Sequence, residues 1–493
     1  MNLPKVDDLH WIDGCIFILY MLIMLGVGFF FLKKNQNSDD YFVGGRNMSS
    51  WHVGLSVVAT DVGGGFSIGL GGLGFVMGIS GSWMLFTGLI GAWLSAVLLI
   101  PKIAEMNDRF QLLTFPQVFG NHYGPKVALL AGLISLIGYT GFSSSQILAG
   151  AKLASASFPS LDLTTALIIM GVIAVVYTVM GGMKAVIYTD TIQWILLMSG
   201  LIFIAIPMAY FAIGGYETII YSVKPELLSL TNFEWSQLFN WAITIIPIWF
   251  VGMTLYQRIF SCKSKKDAQK AWFIAGLFEW PIMAFMGVLL GLFAKVAADQ
   301  GMFTDLGFVT SKGLDPEMGL PLLLSHILPV GLMGVMMSAY FSAILSTADS
   351  CLMAASGNLT TDVFGKLLKQ KSHQSVLKYS QLFTLLIGAF AIVLAMSMEN
   401  VLELMLLSYS FMVSGLLVPI LGLLFWKQVS SKAAIAAMIL GGGTTVSLEL
   451  FKVALPFNIN ANLFGILAAL VVFIIITLTD NNSIEIKETN GKN

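Results

Sequence analysis

Long apolar runs dominate the chain, and short polar stretches separate them. About 20 consecutive apolar residues span the hydrocarbon core of a bilayer, so each run predicts one transmembrane helix. Thirteen spans are predicted, at residues 12–32, 51–78, 82–101, 126–157, 163–180, 184–211, 236–258, 271–299, 331–364, 379–397, 399–426, 432–449 and 460–479. We therefore expect an all-α polytopic membrane protein, with residues 1–480 as one transmembrane domain and residues 481–493 as a short cytoplasmic tail.

The second predicted span is interrupted in its middle by a carboxylate and a glycine triplet. Irregular backbone at that depth is tolerated where it lines a cavity or binds a ligand, and an ionisable residue inside a span is a functional candidate by default. The alternative is that the glycines only let another helix approach closely. The candidate substrate-binding residues are Asp61, Gly63, Gly64, Gly65 and Phe66.

Composition excludes several classes of protein. The 493 residues are 57% hydrophobic and 11% charged, and the mean hydropathy is +0.83, which excludes a soluble globule. A formal net charge of -1 gives no indication of a nucleic-acid partner. The three cysteines, Cys15, Cys262 and Cys351, have neither metal-binding spacing nor a disulfide framework. We expect a lipid bilayer as surroundings and infer no obligatory protein partner.

Charge distribution predicts the orientation. If the N-terminus lies outside and the spans alternate, most of the 26 Lys and Arg residues fall in inward loops, including the run from Arg258 to Lys270. By the positive-inside rule the N-terminus is then outside and the C-terminus is cytoplasmic.

Two interrupted spans indicate an internal repeat. The second span breaks at Asp61, and five spans later the seventh breaks near Pro247 and Gly252. Such a pair is typical of inverted-repeat transporters with a site at mid-membrane. The repeats are predicted at residues 51–211 and 236–426.

The ninth span carries a cluster of hydroxyls and a carboxylate, Ser346, Thr347, Asp349 and Ser350. Oxygen-rich sites suit hard cations, although a hydroxyl inside a span often bonds back to its own helix. Two further residues keep alternatives open. Arg46 is either a positive-inside anchor or an inner gate residue that joins Asp190 in one polar network, and Asp190 either favours a helix start or takes part in binding.

The chain resembles the sodium:solute symporter family over about residues 10–480. The resemblance rests on five runs in family order, YFVGGR, VVATDVGGG, GGMKAVIYTDTIQ, QRIFSCKSKKDAQKA and AILSTADS. It implies a five-plus-five inverted-repeat (LeuT-like) core and sodium as the coupling ion. Carried over residue by residue, it places a core sodium at the carbonyls of Ala59, Val62 and Ala343 and the hydroxyls of Ser346 and Thr347.

Some family members hold a second sodium, at positions that match Asp190, Ser346, Asp349 and Ser350. Asp349 departs from the hydroxyl of those members, which implies a more tightly bound ion or its replacement by a proton. Asp61 matches the aspartate of the bacterial sodium/proline symporters, whereas the choline branch has tryptophan there. Phe66 stands where galactose-transporting relatives have a polar side chain, so the resemblance favours a small zwitterion or organic acid.

The sequence thus predicts a sodium-coupled symporter for a small organic solute, such as proline, in the plasma membrane, presumed bacterial. The alternatives are a choline-like or sugar substrate. A different class is an intramembrane hydrolase, which would need two of Asp61, Asp190 and Asp349 to meet at one water.

Overall fold

The computed structural model describes residues 10–32, 42–61, 64–158, 161–181, 183–368, 373–426, 428–480 and 484–485. The described chain is almost entirely helical. One short antiparallel pair of strands, β1 (Gln428–Val429) and β2 (Ile484–Glu485), is the exception within this part of the chain.

The first half of the chain contains eleven described helices, two of which belong to the predicted second span. They are α1 (Trp11–Leu32), α2 (Ser50–Asp61), α3 (Gly64–Met77), α4 (Trp83–Leu98), α5 (Ile100–Phe110), α6 (Phe115–Tyr123), α7 (Pro125–Ser157), α8 (Leu163–Gly181), α9 (Met183–Gly200), α10 (Ile206–Ala212) and α11 (Gly215–Ser222).

The second half repeats this pattern of long and broken helices. It contains α12 (Trp235–Val251), α13 (Met253–Ser261), α14 (Lys265–Leu277), α15 (Ala284–Asp299), α16 (Pro316–Ile327), α17 (Leu332–Gly357), α18 (Gly365–Leu368), α19 (His373–Ala395), α20 (Val401–Phe425), α21 (Ser431–Leu450) and α22 (Ala461–Thr479). Short π-helical turns continue three of the long helices, at Leu201–Ala205, Phe278–Met283 and Asn358–Val363.

Multi-pass character is confirmed. Within the described ranges, 9 helical stretches are long and apolar enough to cross a membrane, and the bent pair α12 and α13 makes a tenth. Two shorter apolar stretches, Trp11–Met24 and Leu163–Val179, fall on two more of the predicted spans. The count of thirteen spans itself stays a prediction.

One of the two predicted interruptions is present among the described residues. The second span is helical up to Asp61 and again from Gly64, and the predicted break between them lies outside the described part of the chain. Helix α12 stops at Gly252, whose extended backbone (φ -70°, ψ 113°) turns the chain by 42° into α13. Pro247 lies inside α12, where its missing N–H weakens the helix one turn before the break.

Glycines bring α3 and α15 into backbone contact. A Cβ added at Gly74 would overlap the carbonyl of Val288, and one added at Gly291 would overlap the carbonyl of Gly71. Only residues without a side chain allow two helices to approach this closely. The outer part of the broken span is therefore packed against α15, while α2 packs on α9, α14 and α17 around the polar centre.

Candidate functional site

The oxygens predicted for the core sodium meet between α2 and α17. Thr347 Oγ1 donates a hydrogen bond to the Ala59 carbonyl at 3.1 Å and lies 3.2 Å from the Ala343 carbonyl. Ser346 Oγ lies 3.2 Å from that same Ala343 oxygen. The contact with Ala59 crosses between helices, so Thr347 does more than bond back to its own helix. Carbonyl and hydroxyl oxygens are a donor set that fits sodium.

A second polar cluster surrounds Arg258 of α13, whose side chain is fully buried. Its Nη2 donates to Asp190 Oδ2 at 3.1 Å, to Ser350 Oγ at 3.0 Å and to Thr60 Oγ1 at 2.5 Å. Its Nε donates to Ser56 Oγ at 3.0 Å, and Ser56 Oγ in turn donates to Asp190 Oδ2 at 2.5 Å. One guanidinium thus joins α2, α9, α13 and α17.

The residues predicted for a second sodium make contacts of their own with protein groups. Asp190 and Ser350 bind the Arg258 guanidinium, whereas Asp349 accepts a hydrogen bond from Thr178 of α8. Asp349 Oδ2 has no hydrogen-bond partner among the described residues. A sodium ion held by all of these groups would have to share or displace contacts that the protein's own cation makes.

Asp61 lies at the end of α2, next to the core oxygens. Its Oδ1 accepts a hydrogen bond from the Tyr409 hydroxyl of α20 at 3.3 Å. The carboxyl group of Glu279, in the π-helical turn after α14, is close enough to the Asp61 carboxyl to interact with it electrostatically, although neither Glu279 oxygen has a hydrogen-bond partner among the described residues. Two carboxyl groups therefore face each other in the centre of the protein.

Five other predicted residues follow Asp61 along the chain. Val62 and Gly63 lie outside the described residues, so their assignment stays a prediction. Gly64 and Gly65 form the first turn of α3 and Phe66 follows in that helix, while the surroundings of these three side chains are likewise outside the description.

Arg46 lies in the short helical turn Gly44–Arg46 that precedes α2. Its Nη1 donates to Asn107 Oδ1 at 2.7 Å and its Nη2 to the Leu112 carbonyl at 2.9 Å. The cation that binds Asp190 is Arg258. The predicted network of Arg46 with Asp190 does not appear among these contacts, because Arg46 ties the inner loop to the end of α5.

An ionic cluster lies at the opposite, predicted outer end of the bundle. The ammonium group of Lys152 in α7 lies 2.6 Å from Asp315 Oδ2 and 2.7 Å from Glu317 Oε2. Glu317 also accepts the backbone N–H groups of Val401 and Leu402, at 2.9 and 3.0 Å, and so caps the start of α20. This cluster borders a cavity of about 590 Å³ that opens between α3, α12 and α20.

Sequence reasoning missed Arg258 and Glu279. Arg258 was counted as an inward loop cation because it leads into a lysine-rich run, yet it is buried in α13. Glu279 lies inside a predicted span, and the rule that drew attention to Asp61 applies equally to it. The signal for Glu279 was therefore present in the sequence.

Comparison with known proteins defines the class. The model of the sodium:solute symporter family matches residues 41–441. Because this match covers most of the chain, the protein belongs to the sodium:solute symporter family. It is a sodium-coupled transporter of a solute and not an enzyme, as its relatives are transporters, and this overturns the hydrolase alternative.

Among its relatives is the high-affinity proline transporter PutP of Bacillus subtilis (strain 168), 29% identical over 440 residues that cover 86% of this chain and 89% of that protein. The sodium/proline symporter of Escherichia coli (strain K12) is 27% identical, with coverage of 88% and 87%.

A solved structure of a Na⁺-coupled sialic acid symporter, in a substrate-bound outward-open state, aligns with a TM-score of 0.81 at 20% identity, covering 97% of this chain and 100% of that one. The likeness supports the predicted LeuT-like fold.

Proposed function

We propose that the protein carries a small zwitterionic amino acid, with L-proline as the best match, together with sodium across the plasma membrane. The observation that carries this proposal is the convergence of the Ala59 carbonyl, the Ala343 carbonyl and the Thr347 hydroxyl, with the Asp61 carboxylate at the end of the same half-helix. Proline transport is what the names of the relatives state, and Asp61 matches their aspartate.

Sodium entry supplies the driving force. One sodium ion moving down a membrane potential of 100 mV releases about 2.3 kcal/mol. By the rule of tenfold per 1.4 kcal/mol, this supports roughly fifty-fold accumulation of the solute. A second ion at Asp190, Asp349 and Ser350 would square that ratio. Measuring the number of sodium ions transported per solute tests whether this ion is present.

We place residues 51–211 and 236–426 as inverted repeats, with the N-terminus outside and the C-terminus in the cytoplasm. The helix break at Gly252 supports the repeat. In this orientation Arg46 and Arg258 lie toward the cytoplasm, and the cavity of about 590 Å³ opens to the outside. Arg46 then helps to close the cytoplasmic side of the transporter through its hydrogen bonds to Asn107 and Leu112.

Uptake into proteoliposomes tests the proposal. The purified protein is given an inward sodium gradient and a panel of labelled amino acids, choline, pantothenate, acetate and sugars. We expect sodium-dependent uptake of proline or a similar zwitterion. Uptake of a sugar alone would contradict the solute class, and uptake that does not depend on sodium would contradict the proposed coupling.

Variants at Thr347 test the ion site. Thr347→Ala removes the hydroxyl that reaches Ala59, and loss of a buried polar contact costs about 1–3 kcal/mol. The sodium concentration for half-maximal uptake should therefore rise at least about fivefold. Thr347→Ser keeps the hydroxyl and is the matched control, for which we expect little change. Equal sodium dependence in both variants would remove Thr347 from the site.

A further inference from the structure

Glu279 is a buried carboxyl group inside a helical stretch that is long and apolar enough to cross a membrane. It lies in the π-helical turn Phe278–Met283, which continues α14 and contains one extended residue, Trp280 (φ -136°, ψ 127°). Its side chain is 0% exposed. A carboxylate is seldom placed at this depth without a partner, because burying an isolated charge costs several kcal/mol.

The surrounding helices leave space for this carboxylate but supply no donor. A Cβ added at Gly88 of α4 would overlap Glu279 Oε2, so the glycine makes room for the carboxyl group. Neither Glu279 oxygen has a hydrogen-bond partner within the described ranges. The position is thus shaped for a carboxylate whose partner does not come from these residues.

The group that Glu279 faces is another carboxylate, that of Asp61. The Tyr409 hydroxyl donates to Asp61, but it carries no charge. The Arg258 guanidinium interacts electrostatically with Asp61, but its hydrogen bonds go to Asp190, Ser350, Thr60 and Ser56. The described chain therefore offers two facing carboxylates and no cation that binds them.

Two like charges in contact in a medium of low dielectric repel each other by several kcal/mol. A cation between them removes this repulsion and gains two charge-assisted hydrogen bonds. The core sodium oxygens lie around Ala59, Ala343 and Thr347, so that ion has its own ligands. A proton shared by the two carboxyl groups would also remove the repulsion, but in a symporter the solute can bring a cation of its own.

The neighbourhood suits an organic cation. Tyr409 packs edge-on against Phe142, with ring centroids 5.0 Å apart, and the Trp249 ring contacts Gly91, one turn along α4 from Gly88. Aromatic faces attract alkylated ammonium groups.

We propose that Glu279 and Asp61 together bind the ammonium group of the solute, so that the transporter selects molecules that carry a protonated amine. This inference rests on the proposed solute symport and names the group that the site recognises. Glu279 is then a specificity-determining residue, and Gly88 is required to keep its carboxyl group in place.

Calorimetric titration of the purified protein at saturating sodium tests the inference directly. The probes are L-proline, pyrrolidine as its cation, and cyclopentanecarboxylate, which lacks the amine. We expect the wild-type protein to bind the two amines and to discriminate against the carboxylate. E279Q removes the charge and keeps the shape, and it should weaken both amines by about 30-fold, or ~2 kcal/mol at tenfold per 1.4 kcal/mol. E279D should show an intermediate loss.

E217Q is the control, since Glu217 lies exposed in α11, away from the site. Its affinities should equal those of the wild type. The wild-type discrimination between pyrrolidine and cyclopentanecarboxylate is informative even if E279Q fails to fold.

Three results would overturn the inference. In the first, wild-type protein takes up a solute without an amine and does not bind pyrrolidine, which leaves the proposed symport intact. In the second, E279Q retains amine affinity but loses solute-driven acidification of the vesicles, which would make the pair a proton site. In the third, E279Q retains amine affinity but transports fewer sodium ions per solute. Sodium-independent uptake of every solute would instead refute the proposed symport.

Discussion

Removing the charge of Arg258 while Asp190 stays in place should strongly destabilise the protein. Arg258→Gln removes the only cation bound to Asp190 in the described structure and leaves that carboxylate with the Ser56 hydroxyl as its hydrogen-bond donor. Both partners of the pair are 0% exposed, so solvent cannot replace the lost contact.

The magnitude follows from the contacts. Breaking one partner of a buried ion pair costs about 3–5 kcal/mol, because the remaining charge is left uncompensated. Asp190→Asn should cost a similar amount, since Arg258 would then keep only neutral acceptors. In the double variant neither charge remains, so the combined loss should be about 2–4 kcal/mol smaller than the sum of the single losses.

The assay is equilibrium unfolding in mixed detergent micelles for the wild type, both single variants and the double variant. Sodium affinity is measured on the same samples, because Ser346 and Ser350 lie on the helix that Arg258 holds. Losses that add without coupling would refute the reasoning, since they would mean that Arg258 and Asp190 do not stabilise each other.

Three further predictions concern the two ends of the molecule and the ion count. Arg46→Ala should favour the inward-open state and speed maleimide alkylation of the buried Cys262, and an unchanged rate would count against a gate at Arg46. Glu317→Gln leaves Lys152 with one carboxylate and should lower the free energy of unfolding by about 1–3 kcal/mol; equal stability would mean that the outer cluster contributes little. Asp349→Asn should reduce the number of sodium ions per solute, measured from the reversal potential, if Asp349 holds a second ion, and an unchanged number would argue against that site.

Helix positions and the helix break at Gly252 could be predicted from the sequence, because length, hydropathy and residues such as Pro247 and Gly252 act locally. The candidate ion site could be predicted only through the family resemblance. Nothing local indicates that the carbonyl of Ala59 lies beside the hydroxyl of Thr347, which is 288 positions away along the chain.

Charge pairing could not be predicted in the same way. The partner of Asp190 depends on the 42° bend after Gly252, which turns α13 back into the protein and buries Arg258 instead of leaving it in a loop. The outer contacts of Lys152 depend on how α16 packs on the helix bundle. The polar run that precedes α16 has no pattern that would indicate a contact with Lys152.

The glycine contact between α3 and α15 determines how the outer half of the broken span can travel. Helices α3 and α15 touch backbone to backbone at Gly74 and Gly291, so no layer of side chains lies between them across which α3 could slide. We therefore expect α3 to move as one rigid body with α15 and with α16, which packs on both. Opening toward the outside then displaces lipid along all three helices rather than along α3 alone. Turnover should accordingly slow in thicker or more viscous bilayers, even when ion and solute affinities stay the same.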